Sequence, residues 1–352
     1  MRQSPARLFL FALLTILTGA IAACGDTADS GSGGKVQGKL AAVMARGELS
    51  CGVSGELPGF SFVAKNGKYS GLDVDICRAI AAALFDNPDQ VDYRNLNAKE
   101  RFTAVQTGEI DLLSRNTTWS LSRDTSVGME FAPVVFYDSQ ALMVKQNGPI
   151  KKLEDLKNKS ICIQIGTTTE QNLTDQMRKR NIPFKPLVFE DVNTVFGTYA
   201  EGRCEAVTSD RSQLISRRIK LPKPAEHTIL DEALSKEPLA PAVADGDSQW
   251  QDVVKWVIYA LIEAEELGIT SSNLEQQLQS NDPNIKRFLG VEGTLGKDMG
   301  LTNDFAARII KHVGNYGEIY EQNLGPKTQL NLPRGQNRLW KDGGLMYAPP
   351  LR

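Results

Sequence analysis

The sequence predicts an α/β fold arranged as two lobes, and three observations carry that expectation. Short apolar runs of strand length alternate with helix-like segments, the pattern that yields mostly parallel pairing under helices. The alternation runs through two successive series, separated by the polar turn Gln146-Asn147-Gly148-Pro149. At about 100–200 residues per domain, a chain of 352 residues makes two domains or one large two-lobed one. With 41% hydrophobic and 23% charged side chains, the composition is that of an ordinary globular protein. The balance of 40 Lys+Arg against 42 Asp+Glu, a formal charge of −2, argues against a nucleic-acid partner, which calls for a clustered cationic excess.

Residues 8–23 form the one apolar run that approaches membrane-spanning length. Arg2 and Arg7 precede it and no acidic residue occurs before Asp26, which is the layout of a secretory signal. The run ends Ile21-Ala22-Ala23-Cys24 and there resembles the lipobox of bacterial lipoproteins. That resemblance implies a lipoprotein signal peptide over residues 1–23 and a lipid anchor on Cys24. Residues 24–38, rich in Gly, Ser, Asp and Thr, read as a flexible tether. Loss of Arg2 and Arg7 leaves 38 basic against 42 acidic side chains, a formal charge of −4. Apart from Cys24, four cysteines remain: Cys51, Cys77, Cys162 and Cys204. An even number in an exported chain predicts two disulfides, with three connectivities open. With no CxxC pair and two His in the chain, no metal site is expected.

The first series begins with a helix over residues 39–46 and a strand over 49–53. Lys65-Asn66-Gly67-Lys68 marks a hairpin turn. Gly71-Leu72-Asp73-Val74-Asp75-Ile76 opens a helix that Asp73 is placed to cap, with Val74, Ile76, Cys77, Ile80 and Leu84 along one side. Strands follow at 91–93 and 110–113 around a helix at 101–107, then a longer strand over 134–144. The second series reads helix 152–156, strand 160–165, helix 168–180, strand 187–189, helix 193–201 and strand 206–208. An amphipathic helix over 249–266 aligns Val253, Trp256, Val257, Ala260, Leu261 and Ala264. Residues 284–352 contain Gly-rich turns, a helix over 303–313 and a loop-like tail, expected to pack on the first lobe.

Gly71-Leu72-Asp73-Val74-Asp75-Ile76 with Ile80, Ala81 and Leu84 resembles the signature of the family-3 bacterial extracellular solute-binding proteins, which serve ABC importers of polar amino acids. Arg115-Asn116-Thr117-Thr118-Trp119-Ser120-Leu121-Ser122-Arg123-Asp124 is similar to a segment of the family's general L-amino-acid-binding branch. Gly166-Thr167-Thr168-Thr169-Glu170 and Glu201-Gly202-Arg203-Cys204-Glu205-Ala206 continue the likeness over about residues 40 to 345. It implies the type II periplasmic-binding-protein fold, with two crossovers near residues 137–145 and 236–244 and a ligand cleft between lobes. The first lobe then comprises 39–140 and 241–352, and the second 141–240. Within that layout, bridges confined to one lobe leave the hinge free, so Cys51–Cys77 and Cys162–Cys204 are expected.

The resemblance also places a site. An amino acid offers a carboxylate, which suits a bidentate guanidinium, and an ammonium, which needs an anion. The carboxylate arginine falls on Arg123, with hydroxyl and backbone contacts at Asn116 and Thr118. Thr168 stands where a strand ends and a helix begins, a position that favours anions. The ammonium partner falls on Asp210, and Phe60 matches an aromatic residue packed on the ligand side chain. Trp119 has two readings, as a wall of the pocket or as packing between strands. The function implied is a monomeric binding component, without cofactor, that hands L-amino acids to the permease subunits and ATPase of an ABC importer. Its location is extracytoplasmic: the periplasm, or the outer face of the cytoplasmic membrane. The alternatives are a dehydratase on the same scaffold and a receptor that senses without transport. His227 and His312 lie outside the cleft motifs, so no acid–base pair recommends catalysis.

Overall fold

The computed structural model describes residues 38–352. The signal segment, Cys24 and all but the last residue of the tether lie outside the described residues. Helix α1 (Lys39–Arg46) leads into β1 (Leu49–Val53). A small antiparallel sheet of β2 (Glu56–Leu57), β3 (Ser61–Val63) and β4 (Tyr69–Ser70) precedes α2 (Leu72–Phe85). Next come β5 (Val91–Asn95), α3 (Arg101–Gln106), β6 (Leu112–Leu113), α4 (Leu121–Thr125) and β7 (Met129–Phe131). The chain then leaves through β8 (Phe136–Asp138) into β9 (Gln140–Lys145). The second series follows: β10 (Ser160–Gln164), α5 (Thr168–Lys179), β11 (Lys185–Phe189), α6 (Val192–Ala200), β12 (Ala206–Asp210), α7 (Arg211–Arg218) and β13 (His227–Ile229). The return path is β14 (Glu237–Leu239) and β15 (Ala242–Ala244), followed by α8 (Ser248–Glu266), α9 (Leu274–Gln277), α10 (Pro283–Phe288), α11 (Leu295–Asp298), α12 (Phe305–His312) and α13 (Tyr316–Asn323).

The two large sheets share one design, with strand orders β5-β1-β6-β15-β7 and β11-β10-β12-β9-β13. In each, the first three strands are parallel and the last two pairings antiparallel. The expectation of mostly parallel pairing therefore holds for only half of each sheet. The fourth strand of each order, β15 or β9, is the one that arrives from the other lobe. It enters without a helical crossover, the connection that a parallel neighbour requires, and so pairs antiparallel.

The single strand expected over 134–144 is broken for the same reason. Before Ser139, β8 pairs with β14, matching Asp138 to Glu237 and Phe136 to Leu239. After it, β9 joins the second sheet. These two short strands are the connections between the lobes.

Several local expectations need revision. Gly71, not Asp73, is the N-cap of α2, and lacking a side chain it makes no side-chain capping bond. Gly71 has φ +127°, and a Cβ there would collide with the Phe60 carbonyl, which accepts the Asp73 and Val74 amides. Asp73 is thereby turned inward and buried. On α8, Trp250 is the fully buried indole, its Nε1 donating to the Asp111 carbonyl at 2.9 Å, whereas Trp256 is half-buried.

The C-terminal segment packs on the first sheet's core: Phe305, Ile309, Tyr316, Ile319 and Tyr320 join α2 and α8 in one buried cluster. It also reaches the connection between lobes. The Asn337 amide oxygen accepts from the Tyr137 amide at 2.6 Å, and its Nδ2 donates to the Tyr137 carbonyl at 3.2 Å. Arg334 ties that stretch back to Glu265 of α8.

The cysteines pair as Cys51–Cys77 and Cys162–Cys204, each within one sheet-and-helix unit. The second bridge spans 42 residues, so removing it frees a long loop in the unfolded chain. Replacing Cys162 and Cys204 together by Ala should lower the unfolding free energy by roughly 3–4 kcal/mol; denaturant unfolding checks this, and a loss under about 1 kcal/mol would contradict it.

Candidate functional site

A small cavity lies where the C-terminal ends of the strands of both sheets face each other, the usual binding position of open α/β sheets. The first sheet's side contributes Arg101, Arg115, Asn116 and Thr118. The second contributes Gln164, Thr167, Thr168, Thr169, Ser209, Asp210 and Gln213. Four of the six expected ligand contacts, Asn116, Thr118, Thr168 and Asp210, are thus brought to one place.

Local structure explains their availability. Asn116 sits at φ +23°, and its backbone N–H donates to the Asp73 carboxylate at 3.2 Å, which fixes the turn carrying the segment. Helix α5 is capped by Thr167, whose hydroxyl accepts the Glu170 amide at 3.3 Å. Thr168, one position on, is therefore spared the capping role that isolated Thr residues before helices usually have. Its hydroxyl donates to Glu237 at 2.8 Å. Asp210 stands at the N-cap position of α7, yet its carboxylate makes no capping bond and lies beside Asn116 and Arg101 in the cavity.

Arg123 is not among the residues that line this cavity. It is buried, donates from Nη1 to the Thr118 carbonyl at 2.8 Å, and lies 5.1 Å over the Phe102 ring. Thr118 is the only acceptor it meets among the described residues, so most of its five N–H donors stay uncommitted. Among the described residues Arg123 makes no ion pair, with the adjacent Asp124 or with any other carboxylate. Phe60 is not brought to the cavity: it is fully buried, edge-to-face with Phe136 at 5.1 Å. Trp119 is stacked 5.9 Å from Phe131, is partly exposed, and is not among the residues that line the cavity. Neither histidine enters the site; His227 meets the Tyr199 hydroxyl and His312 meets Asp86.

Three further groups were not singled out by sequence reasoning. Glu237, on the returning connection β14, gathers the Thr118 and Thr168 hydroxyls and the Ser235 hydroxyl, and takes Asn172 Nδ2 at 2.7 Å. The two threonine oxygens lie 3.4 Å apart, so this one carboxylate holds both lobes at the cleft. Arg101, at the start of α3, donates to the Thr117 hydroxyl at 3.2 Å, and its Nε has no partner. Arg115 donates from Nε to the Leu96 carbonyl at 2.8 Å. Arg115 stood inside the quoted segment and Glu237 inside the expected crossover; a lone charge gives no local signal of what a distant segment will place against it.

Burial governs the electrostatics. It pushes the Asp73 carboxyl up to about 7 against the opposing pull of Asn116 and Arg115. It raises Asp138 to about 6, with help from nearby Glu237. Asp210 is driven well above the usual carboxylate range by burial and then by Asp138 and Glu237. Burial lowers the Arg115 guanidinium to about 10 and holds Arg101 well below its ordinary value, Arg123 and Arg115 adding repulsion at Arg101. Among the described residues, no group of three or more metal-ligating side chains occurs, and no helix is long and apolar enough to cross a membrane.

Comparison with known proteins places the chain in context. The sequence model of the bacterial extracellular solute-binding proteins, family 3, matches residues 49–272. The general L-amino acid-binding periplasmic protein of Rhizobium johnstonii is 51% identical over 315 residues, covering 89% of this chain and 92% of that one. The glutamate/glutamine/aspartate/asparagine-binding protein of Rhodobacter capsulatus is 46% identical over 311 residues, covering 88% and 92%. Among solved structures, an ABC transporter periplasmic binding protein from Brucella ovis with glutathione bound superposes with a TM-score of 0.88 at 47% identity, covering 90% of this chain and 99% of that one.

A carboxyl raised in the folded state binds its proton more tightly than in the unfolded chain. Its stabilising contribution is complete below about pH 4 and is lost as pH rises through the folded value. Asp73 and Asp138 place that loss near pH 6 to 7. The melting temperature of the ligand-free protein should rise on going from pH 7.5 to 5, and Asp73→Asn should flatten the rise; a melting temperature that falls over that interval contradicts the assignment.

Proposed function

The chain belongs to the bacterial extracellular solute-binding proteins, family 3, and on that premise we propose that it captures L-amino acids by cleft closure for an ABC importer. The observation that carries this reading is the convergence, from opposite lobes, of the Asp210 carboxylate and a set of buried guanidiniums on one cavity. A zwitterion carries the two complementary charges. Asp210 takes the ammonium. Arg123 takes the α-carboxylate with its uncommitted donors, assisted by Asn116, Thr118 and the α5 N-terminus at Thr168, where backbone N–H groups favour an anion. The names of relatives, one a general L-amino acid-binding periplasmic protein and the other a glutamate/glutamine/aspartate/asparagine-binding protein, support the same class of ligand.

The lobes divide at the paired strands β8 and β14, the first comprising residues 39–140 and 241–352, the second 141–240. A ligand shifts the opening equilibrium only by its differential affinity for the two states. Contacts to both Arg123 and Asp210 exist only when the lobes meet, so the zwitterion favours closure. Ion pairing with the ammonium also offsets the cost of burying the Asp210 carboxylate. The closed protein is then read by permease subunits with their ATPase. Cys24 anchors a monomer by lipid outside the cytoplasmic membrane, and the chain performs no catalytic step.

Thermal-shift screening against the twenty L-amino acids tests this, because a ligand that binds only the folded state raises the melting temperature. Several L-amino acids should stabilise the protein and their D-forms should not. In calorimetry, Arg123→Ala should weaken every L-amino acid by about 100-fold or more. No stabilisation by any of them would refute the function; loss for one side-chain class alone would refute the role of Arg123.

A further inference from the structure

The lobes also meet away from the ligand cavity. Helix α7 of the second lobe faces the small sheet of the first: the Ser216 hydroxyl donates to the Pro58 carbonyl at 2.8 Å, and the Lys220 ammonium lies 5.5 Å over the Phe62 ring. Beside Ser216, the Arg217 side chain is buried, 9% exposed. Its partners within its own lobe are neutral or already occupied. Nη1 donates to Asn193 Oδ1 at 2.6 Å, the Phe196 ring lies 5.6 Å away, and the neighbouring Asp191 carboxylate takes the Thr194 amide and hydroxyl. Nε and Nη2 make no hydrogen bond among the described residues. The charge that answers Arg217 comes from the opposite lobe: Glu56 of β2 lies 3.9 Å from Nη2 and takes Asn193 Nδ2 at 2.8 Å. A cation held out of water is costly unless an anion meets it.

Resting on the function just described, we propose that Glu56 and Arg217 are positioning residues that clasp the rim of the cleft, joined as the lobes shut and parted as they open, and that they set how long a captured ligand is held. Asp210 is the N-cap of the helix that carries Arg217, about 10 Å further along its axis. A ligand ammonium drawn to Asp210 therefore brings the clasp into register through one rigid element. Neither Glu56 nor Arg217 lines the ligand cavity, so the holding effect is common to every ligand side chain. Opening returns Arg217 to water. Removing the Glu56 charge alone leaves that guanidinium buried and unanswered in the shut form only, and release is quickened. Glu56 also shares a second small cavity with Arg115 of its own lobe, and a substitution at Arg217 separates the two neighbours.

Stopped-flow measurement of the release of L-glutamate and of L-alanine, two ligands of unlike side chain, tests the clasp. Glu56→Gln should speed the release of both by about 3-fold or more. In an Arg217→Met background, where no buried cation needs an answer, the same substitution should change release by less than about 2-fold. A smaller rise in the wild-type background, or a rise for one ligand alone, overturns the proposal. So does an equal rise with and without Arg217, which would assign the effect of Glu56 to Arg115. Should Arg217→Met fail to fold, the two ligands compared on Glu56→Gln alone decide. A wild-type chain that binds no L-amino acid refutes the broader function and the clasp with it, whereas a binding wild type with unaltered release in Glu56→Gln refutes the clasp alone.

Discussion

Charge held out of water where two lobes meet is the constraint on which this structure turns. Each lobe folds around an apolar core of its own, but the surfaces they turn to one another carry guanidiniums, carboxylates and hydroxyls. Such groups are costly to bury unless matched. Glu237 solves part of the problem by collecting hydroxyls from both sides. The arginines are met by uncharged acceptors. In the proposed function, a site assembled this way prefers partners that supply the missing charge, and the preference exists only while the halves touch.

The sheet topology makes that dependence possible. Each sheet lends its fourth position to a strand arriving from the other lobe, so two chain segments cross the gap and do so side by side as β8 and β14. In the proposed closure these paired crossings are where the lobes bend. Both disulfides stay inside single lobes and leave the bend unobstructed.

Much of this was legible in the sequence. Helix α1 and strand β1 are found over the residues expected, because their boundaries are marked by Gly47 and by a compact apolar run. The alternation of elements gave the class, and motif position brought Asn116, Thr118, Thr168 and Asp210 to one cavity. What escaped has a common cause. The antiparallel halves of the sheets, the break at Ser139, the carboxylate of Glu237 and the unpartnered Nε of Arg101 all depend on segments that are distant in sequence. Phe60 shows the converse: the family resemblance implied a ligand contact, yet the Gly71 turn draws its carbonyl onto α2 and its ring lies in the core.

The grip of Asn337 on the Tyr137 backbone, with Arg334 pinned to Glu265 behind it, has a mechanical meaning. The connecting strand is bolted to the larger body at one edge, so in the proposed closure the first lobe with its C-terminal helices acts as the chassis and the second as the arm. Capture of a molecule a few ångströms long is then reported as the attitude of that whole arm. A neighbour docked on the outside can register occupancy from the stance of the arm, without touching what was caught.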